Sequence, residues 1–502
     1  MRFLIVTIFN LLFCFQLFAE NKLDVKAFGA KGDGKTDDTR AIQLAINAAS
    51  PFLKTIIYFP AGIYNLASYT TTRNYLINYC LLLHSNIDIE GDSSSQTIVR
   101  LADHIFDISD TSANAHLFYG YKIKNISFSN LTIDMNGANN LVPFHVIKNH
   151  AAIFTSYGSN YYIHDITIKN CSGTNMLNIM SKGSGLVVEN CKFFNGGNYV
   201  GSPIPNSNQI DYSFIYSEWD STIVRNNIIQ QQDIDIALQN YTGGIELHGS
   251  NSEANGNFID GCWPAVFITS SNNVVLQNVS VSNNTIINCV TGISFWVEQP
   301  MKDISIYKNK IVLTHSRSSK LTMCTGIIIP NGNVKEYTKK MANAAPINNL
   351  EIKDNVISAD SMQMLSAAMV LHSLQQSTIE NNSISGMNYA GIVLSGSKWG
   401  TNSLVVRNNI FSDFRANNNL NMVGGYIVVT DTYSPDTKGA PGYKGIVFTN
   451  NKFLRNKKIT SATGKFMGAF IALPSGMMKA IQFSNNQFSE PSEKIHMVKT
   501  DQ

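Results

Sequence analysis

A tripeptide of the form Asn-x-Ile or Asn-x-Phe recurs nine times, at Asn227, Asn257, Asn284, Asn309, Asn355, Asn382, Asn409, Asn451 and Asn486. Successive gaps are 30, 27, 25, 46, 27, 27, 42 and 35 residues, and a β-rich run usually precedes each tripeptide. Such a spacing is that of a solenoid whose shorter coils approach a common length and whose longer coils carry loop insertions. Cys191 in ENCKFF and Cys171 in KNCSG read as the same bend position in two earlier coils. Asparagine suits a tight bend because it tolerates left-handed backbone angles and bonds to neighbouring backbone. These asparagines therefore read as structural.

Bends in register stack residues at equal distance before them into columns, with neighbours about 4.8 Å apart. Nine residues before the bends at 191, 227 and 257 lie Lys182, Glu218 and His248, and eleven before them lie Met180, Tyr216 and Glu246. In YTGGIELHGSNS, residues 241–252, Ile245 and Leu247 must face the core, so Glu246 and His248 point outward. Taken singly, each polar residue is most simply a solvated strand position. Together, Lys182, Tyr216, Glu218, Glu246 and His248 place a base, a phenol, two acids and an imidazole on three adjoining coils, which marks a candidate catalytic surface.

The insert QQQDIDIALQNYTGG carries Asp233, Asp235 and Tyr241 just ahead of the Glu246 strand, as candidate substrate-binding groups. No cofactor is demanded. Calcium is the one candidate, but two aspartates fall short of the six to eight oxygens a calcium site uses and read more simply as loop solubilisers. Trp296 and Glu298 in GISFWVEQP are further outward candidates, the indole being suited to stack on a sugar ring.

The first nineteen residues, MRFLIVTIFNLLFCFQLFA, have one basic residue followed by an apolar run and Ala19, the pattern of a secretory signal peptide. A retained membrane anchor is the competing reading; no later segment is apolar and long enough to span a bilayer. The expected location is secreted or periplasmic, without stable membrane insertion after signal cleavage. At 44% hydrophobic and 15% charged, the chain is a folded protein, and a net charge of +3 with scattered bases offers no footprint for nucleic acid. Six cysteines remain beyond the signal, none in a CxxC spacing, so no cysteine zinc site is expected. Cys171 with Cys191, and Cys262 with Cys289, are expected to stack without bonding, because parallel Cβ vectors about 4.8 Å apart exceed disulfide geometry.

The segment LDVKAFGAKGDGKTDDTRAIQLAINAA, residues 23–49, reads as a strand, a glycine-rich loop and an amphipathic helix near 38–48, capped by Thr36 or Asp37. TIIYFPAGIYNL follows, a strand broken by Pro60 and Gly62. This order closely resembles the entry segment of the pectate lyase superfamily. The resemblance covers residues 23–65 and implies an all-β, single-stranded right-handed parallel β-helix with an N-terminal capping α-helix. It divides the chain into a signal at 1–19, a cap and entry coil at 20–65, and the β-helix at 66–502.

That architecture is shared by lyases, hydrolases, epimerases and phage tailspikes. β-Elimination from a uronate-containing polysaccharide needs a base, a cation and an acid, which His248, Lys182 and Tyr216 supply. Inverting glycoside hydrolysis needs two carboxyl groups; Glu218 and Glu246 would stand roughly 8 Å apart at Cα. LHGSN lacks the aspartates that accompany the GHG motif of polygalacturonases, and the DPHE motif of mannuronan epimerases is absent. The expectation is a polysaccharide-cleaving enzyme, a lyase narrowly ahead of a hydrolase. A non-catalytic carbohydrate-binding or tailspike-like β-helix is the alternative from another class.

Overall fold

The computed structural model describes residues 21–72, 77–105, 114–140, 150–196, 212–231, 242–270, 274–313, 323–330, 345–359, 365–397, 399–414, 424–429, 442–454, 468–474, 480–489 and 496–498. Among the described residues its strands fall into three sheets of 15, and from Ile87 onward each coil sends one strand to each sheet. One coil runs Thr242–Leu247 in the third sheet, Glu253–Asn255 in the first and Phe258–Asp260 in the second, before returning to the third at Val266–Ser270. Inter-coil pairing is parallel throughout, apart from the two-residue strand Thr70–Thr71 on the edge of the third sheet. The expected parallel β-helix is the fold observed. Its core is one continuous apolar column running inside the three sheets from Val25 to Ile481.

The repeated asparagines stand where the first sheet turns into the second, and they form a ladder. Each Oδ1 accepts both the backbone N–H and the Nδ2–H of the asparagine one coil earlier, as from Asn227 to Asn257 at 3.0 and 2.9 Å. The same pair of bonds recurs at every step to Asn486. The left-handed backbone lies one residue earlier than expected, at Asn226, Asn283, Lys308, Asp354 and their equivalents. The ladder asparagine is buried at this corner, where its amide satisfies peptide groups the bend leaves unpaired.

Cys191 takes the first rung, its N–H donating to Asn227 Oδ1 at 2.9 Å. Cys171 does not share that position. Thr167 pairs with Lys192, which places Ile166 level with Cys191. The matching bend is at Asp165, whose φ is 52°. KNCSG instead follows the end of the second-sheet strand Thr167–Lys169, and Cys171 occupies the place that Cys262 and Cys289 hold after their own bends. The six cysteines within the described residues are buried, and none of them forms a disulfide.

The helix Thr39–Ala48 buries Thr39, Ile42, Ala45 and Ile46, while Leu44 stays half exposed. Its N-cap residue is Asp38, one later than expected, and that carboxylate is turned back to accept from the Lys31 and Gly32 amides. Asp37 takes the capping task, accepting from the Thr39 N–H and Ala67 N–H at 3.0 Å each and so tying the helix start to the first full coil. Among the described residues no helix is long and apolar enough to cross a membrane. The signal expected over residues 1–19 lies outside the described residues.

Candidate active site

The third sheet builds the candidate site. Tyr216 pairs with Glu246 and Ser217 with Leu247, so the strands Tyr212–Ser217 and Thr242–Leu247 bring the phenol and the carboxylate level on neighbouring coils. The backbone N–H of His248 donates to Ser217 O at 2.9 Å and carries the register one residue further, setting His248 beside Glu218. Ile245 and Leu247 are fully buried in the core, so the side chains between and beyond them leave by the outer face, as expected.

Four of the five expected catalytic residues meet there as two bonded pairs. His248 Nε2 lies 2.8 Å from Glu246 Oε1, and Ser213 Oγ donates to Glu246 Oε2 at 2.8 Å. Tyr216 Oη donates to Glu218 Oε1 at 2.9 Å, while the Ser181 backbone N–H donates to Glu218 Oε2. The Tyr216 and His248 rings stand 4.7 Å apart between centroids, tilted by 49°, so the two pairs share one surface. Glu246 is 3% exposed, which shields its contact with the imidazole from water. In the tautomer that donates Nε2–H to the Glu246 carboxylate, His248 carries its lone pair on Nδ1.

Gly249, directly after His248, has a packing reason. A Cβ there would collide with the carbonyl of Trp219, so the chain passes the Trp219 backbone only without a side chain. Trp219 is fully buried and donates its indole N–H to Met180 O at 3.1 Å. It anchors the turns that carry Glu218 and His248.

Lys182 is the correction. Asn178, not Met180, pairs with Tyr216, and Met180 stands level with Glu218. Three residues, Ser181 to Gly183, separate Met180 from Ser184, whereas only Trp219 separates Glu218 from Asp220, the bridge partner of Ser184. Those two extra turn residues shift the count, and Lys182 sits exposed on the turn instead of beside Glu218. Ser213 and Ser181 were not singled out in the sequence. Ser213 escapes a period-two reading because Phe214 and Ile215 both enter the core, so the outer face takes residues three apart.

Trp296 pairs with Thr269, which is level with His248, so the indole lies two coils along the same column. Glu298 follows on that coil, its N–H donating to Ser270 O at 3.1 Å. Asp233, Asp235 and Tyr241 lie outside the described residues. Among the described residues there is no group of three or more His, Cys, Asp or Glu side chains able to hold a metal ion.

Residues 23–232 match the family described as rhamnogalacturonase A/epimerase, pectate lyase-like. This region is pectate lyase-like. The match extends the resemblance of the entry segment through the coils that carry Tyr216 and Glu218. The chain is also 37% identical over 116 residues to a mannuronan C5-epimerase and 39% identical over 120 residues to alginate lyase 7, both of Azotobacter vinelandii. Each match covers 23% of this chain, and 11% and 13% of those relatives respectively. A mutant tailspike protein of E. coli bacteriophage HK620, solved in complex with pentasaccharide, superimposes with a TM-score of 0.63 at 15% identity, over 95% of this chain and 78% of that one. At that identity the likeness concerns the fold.

Proposed function

We propose that the chain is an exported polysaccharide lyase that cleaves a uronate-containing polymer by β-elimination at the Glu246–His248 and Tyr216–Glu218 pairs. The carrying observation is the facing of these two pairs, an imidazole oriented by a buried carboxylate and a phenol oriented by a second one, with rings 4.7 Å apart. In the reaction, His248 Nδ1 takes the proton beside the sugar carboxyl group. Tyr216 protonates the glycosidic oxygen as its bond to carbon breaks, and a carbon–carbon double bond forms. The new imidazolium offsets the developing enolate charge, the task that the sequence pattern assigns to Lys182.

Hydrolysis by Glu218 and Glu246 fits less well. All four of their carboxylate oxygens are taken up by hydrogen-bond partners within the protein, so neither carboxyl group presents an uncommitted oxygen to a leaving group or to a water. The relatives named for mannuronan epimerisation and alginate lysis accord with proton abstraction from a uronate. Substitution separates the readings. His248→Ala and Tyr216→Phe should each lower kcat on the cleaved polymer by roughly 10²- to 10⁴-fold. Near-normal rates for both, with activity lost in Glu218→Gln and Glu246→Gln, would favour hydrolysis.

A further inference from the structure

Three and two coils before Glu218, the outer edge of the third sheet carries two large aromatic rings in the open. Tyr121 is 43% exposed and Tyr157 46% exposed, with ring centroids 5.9 Å apart and planes at 84°. The Lys122 ammonium stands over both, 5.1 Å from the Tyr121 centroid and 6.0 Å from that of Tyr157. Lys122 and Tyr157 hold left-handed backbone, at φ 54° and 58°, on corresponding turns of successive coils. That conformation is uncommon for a bulky aromatic and disfavoured by its Cβ. A solenoid corner needing only a left-handed residue would be better served by asparagine, which holds most of the left-handed non-glycine positions among the described residues.

The position is tied by register to the reacting pairs. Tyr121 pairs with Ser156, Ser156 with Met180, and Met180 stands level with Glu218. Beyond Glu218 the column continues through His248 and Thr269 to Trp296. At about 4.8 Å per coil, Tyr121 lies about 14 Å from Glu218 on one side, and Trp296 about 10 Å from His248 on the other. Below the ledge, buried Trp219 packs against Gly158 and Gly183, where any Cβ would strike its indole, so the turns bearing Tyr157 and Ser181 rest on the residue that follows Glu218. Ledge and reacting pairs share one rigid support.

We infer that Tyr121, Tyr157 and Lys122 form a distal subsite for an acidic sugar unit of an extended polymer lying along the third sheet. A pyranose presents an apolar C–H face that stacks on a tyrosine ring, and a uronate carboxylate pairs with an ammonium above it. Lys182, exposed on the next turn toward Glu218, adds a second cation along the same rim. The inference rests on the polyuronate reading of the site, but binding here needs no turnover.

The test is affinity electrophoresis of the full chain through gels containing alginate or polygalacturonate, with dextran as the neutral polymer, alongside steady-state kinetics on the polymer that is cleaved. The wild type should be retarded by at least one acidic polymer and not by dextran. Tyr121→Ala combined with Tyr157→Ala should weaken that retardation roughly tenfold. Lys122→Asn, which keeps a residue tolerant of positive φ, should weaken it several-fold and flatten its salt dependence. KM for the long polymer should rise in parallel, with kcat on a uronate trisaccharide unchanged. Retardation of the variants equal to that of the wild type, equal retardation by dextran, none by either acidic polymer, or an equal fall in kcat on the trisaccharide would each overturn the subsite. Retardation that behaves as expected in a protein that cleaves nothing would support the subsite and count against the lyase reading alone.

Discussion

At the scale of single residues, the chain separates polar groups that hold the coil together from those that face a ligand. His372 belongs to the first kind: it is buried, with Nδ1 3.0 Å from Ser373 Oγ and Nε2 3.1 Å from Pro330 O. Burial pulls its pKa from 6.5 down to about 4. The unfolded chain therefore takes up this proton first as pH falls, so the stability His372 contributes is complete above about 6.5 and is lost progressively toward about 4, by about 3 kcal/mol. Urea unfolding at pH 7 and pH 4 should show His372→Asn less stable at pH 7, yet losing about 3 kcal/mol less than the wild type between the two. An identical loss in both proteins would remove His372 from the acid response. At the site, Glu246→Gln keeps the size and one acceptor of the glutamate but discards the charge that orients His248. It should lower kcat by roughly 10²-fold while leaving the urea midpoint within about 0.5 M of the wild type.

At the scale of elements, the asparagine ladder and the outer face of the third sheet show why one was legible in the sequence and the other only partly. The ladder takes one residue per coil at a fixed corner, so Asn227 to Asn486 announce themselves by spacing alone, and eight consecutive steps repeat the same two bonds. Replacing Asn309 by Ala leaves two donors of Asn284 without an acceptor in a dry corner, and should cost about 1–3 kcal/mol in equilibrium unfolding. Substitution of exposed Gln277 by Ala, on the strand Leu276–Ser282, should stay within about 0.5 kcal/mol. The columns of the site depend instead on turn length between the third and first sheets. Tyr216 with Glu246, and Glu218 with His248, were readable because Trp219 and Gly249 are each a single residue in their turns. Lys182 was not, because Ser181 to Gly183 add two residues with no mark in the local pattern. Ser213 was hidden by the adjacent core residues Phe214 and Ile215, which break the alternation on which a strand reading rests. Tyr121 and Tyr157 passed unremarked for a related reason: lone tyrosines at turns carry no periodic signal.

At the scale of the whole molecule, the fold is a long stack with two ends, and the apolar column inside must be closed at each. The helix Thr39–Ala48 does this at the N-terminal end, burying Ile42, Ala45 and Ile46 in the same core as the coils and bonding through Gln43 Nε2 to Leu82 O at 3.1 Å. Deleting residues 37–49 should expose strand edges and apolar surface together, so the shortened chain should aggregate during size-exclusion chromatography. A soluble monomer would show that the helix is not a needed cap. Above that end, the third sheet presents one continuous outer face from the Tyr121 ledge through the two acid-oriented pairs to Trp296. We propose that a uronate polymer lies on this face and is broken by proton abstraction. The most direct measurement is to incubate the purified protein with alginate, polygalacturonate and neutral polysaccharides while following unsaturated-uronate absorbance and new reducing ends together. Both should rise in step on an acidic polymer, and both should vanish in His248→Ala. Reducing ends appearing without absorbance, or a His248→Ala protein that cleaves at the wild-type rate, would contradict that proposal.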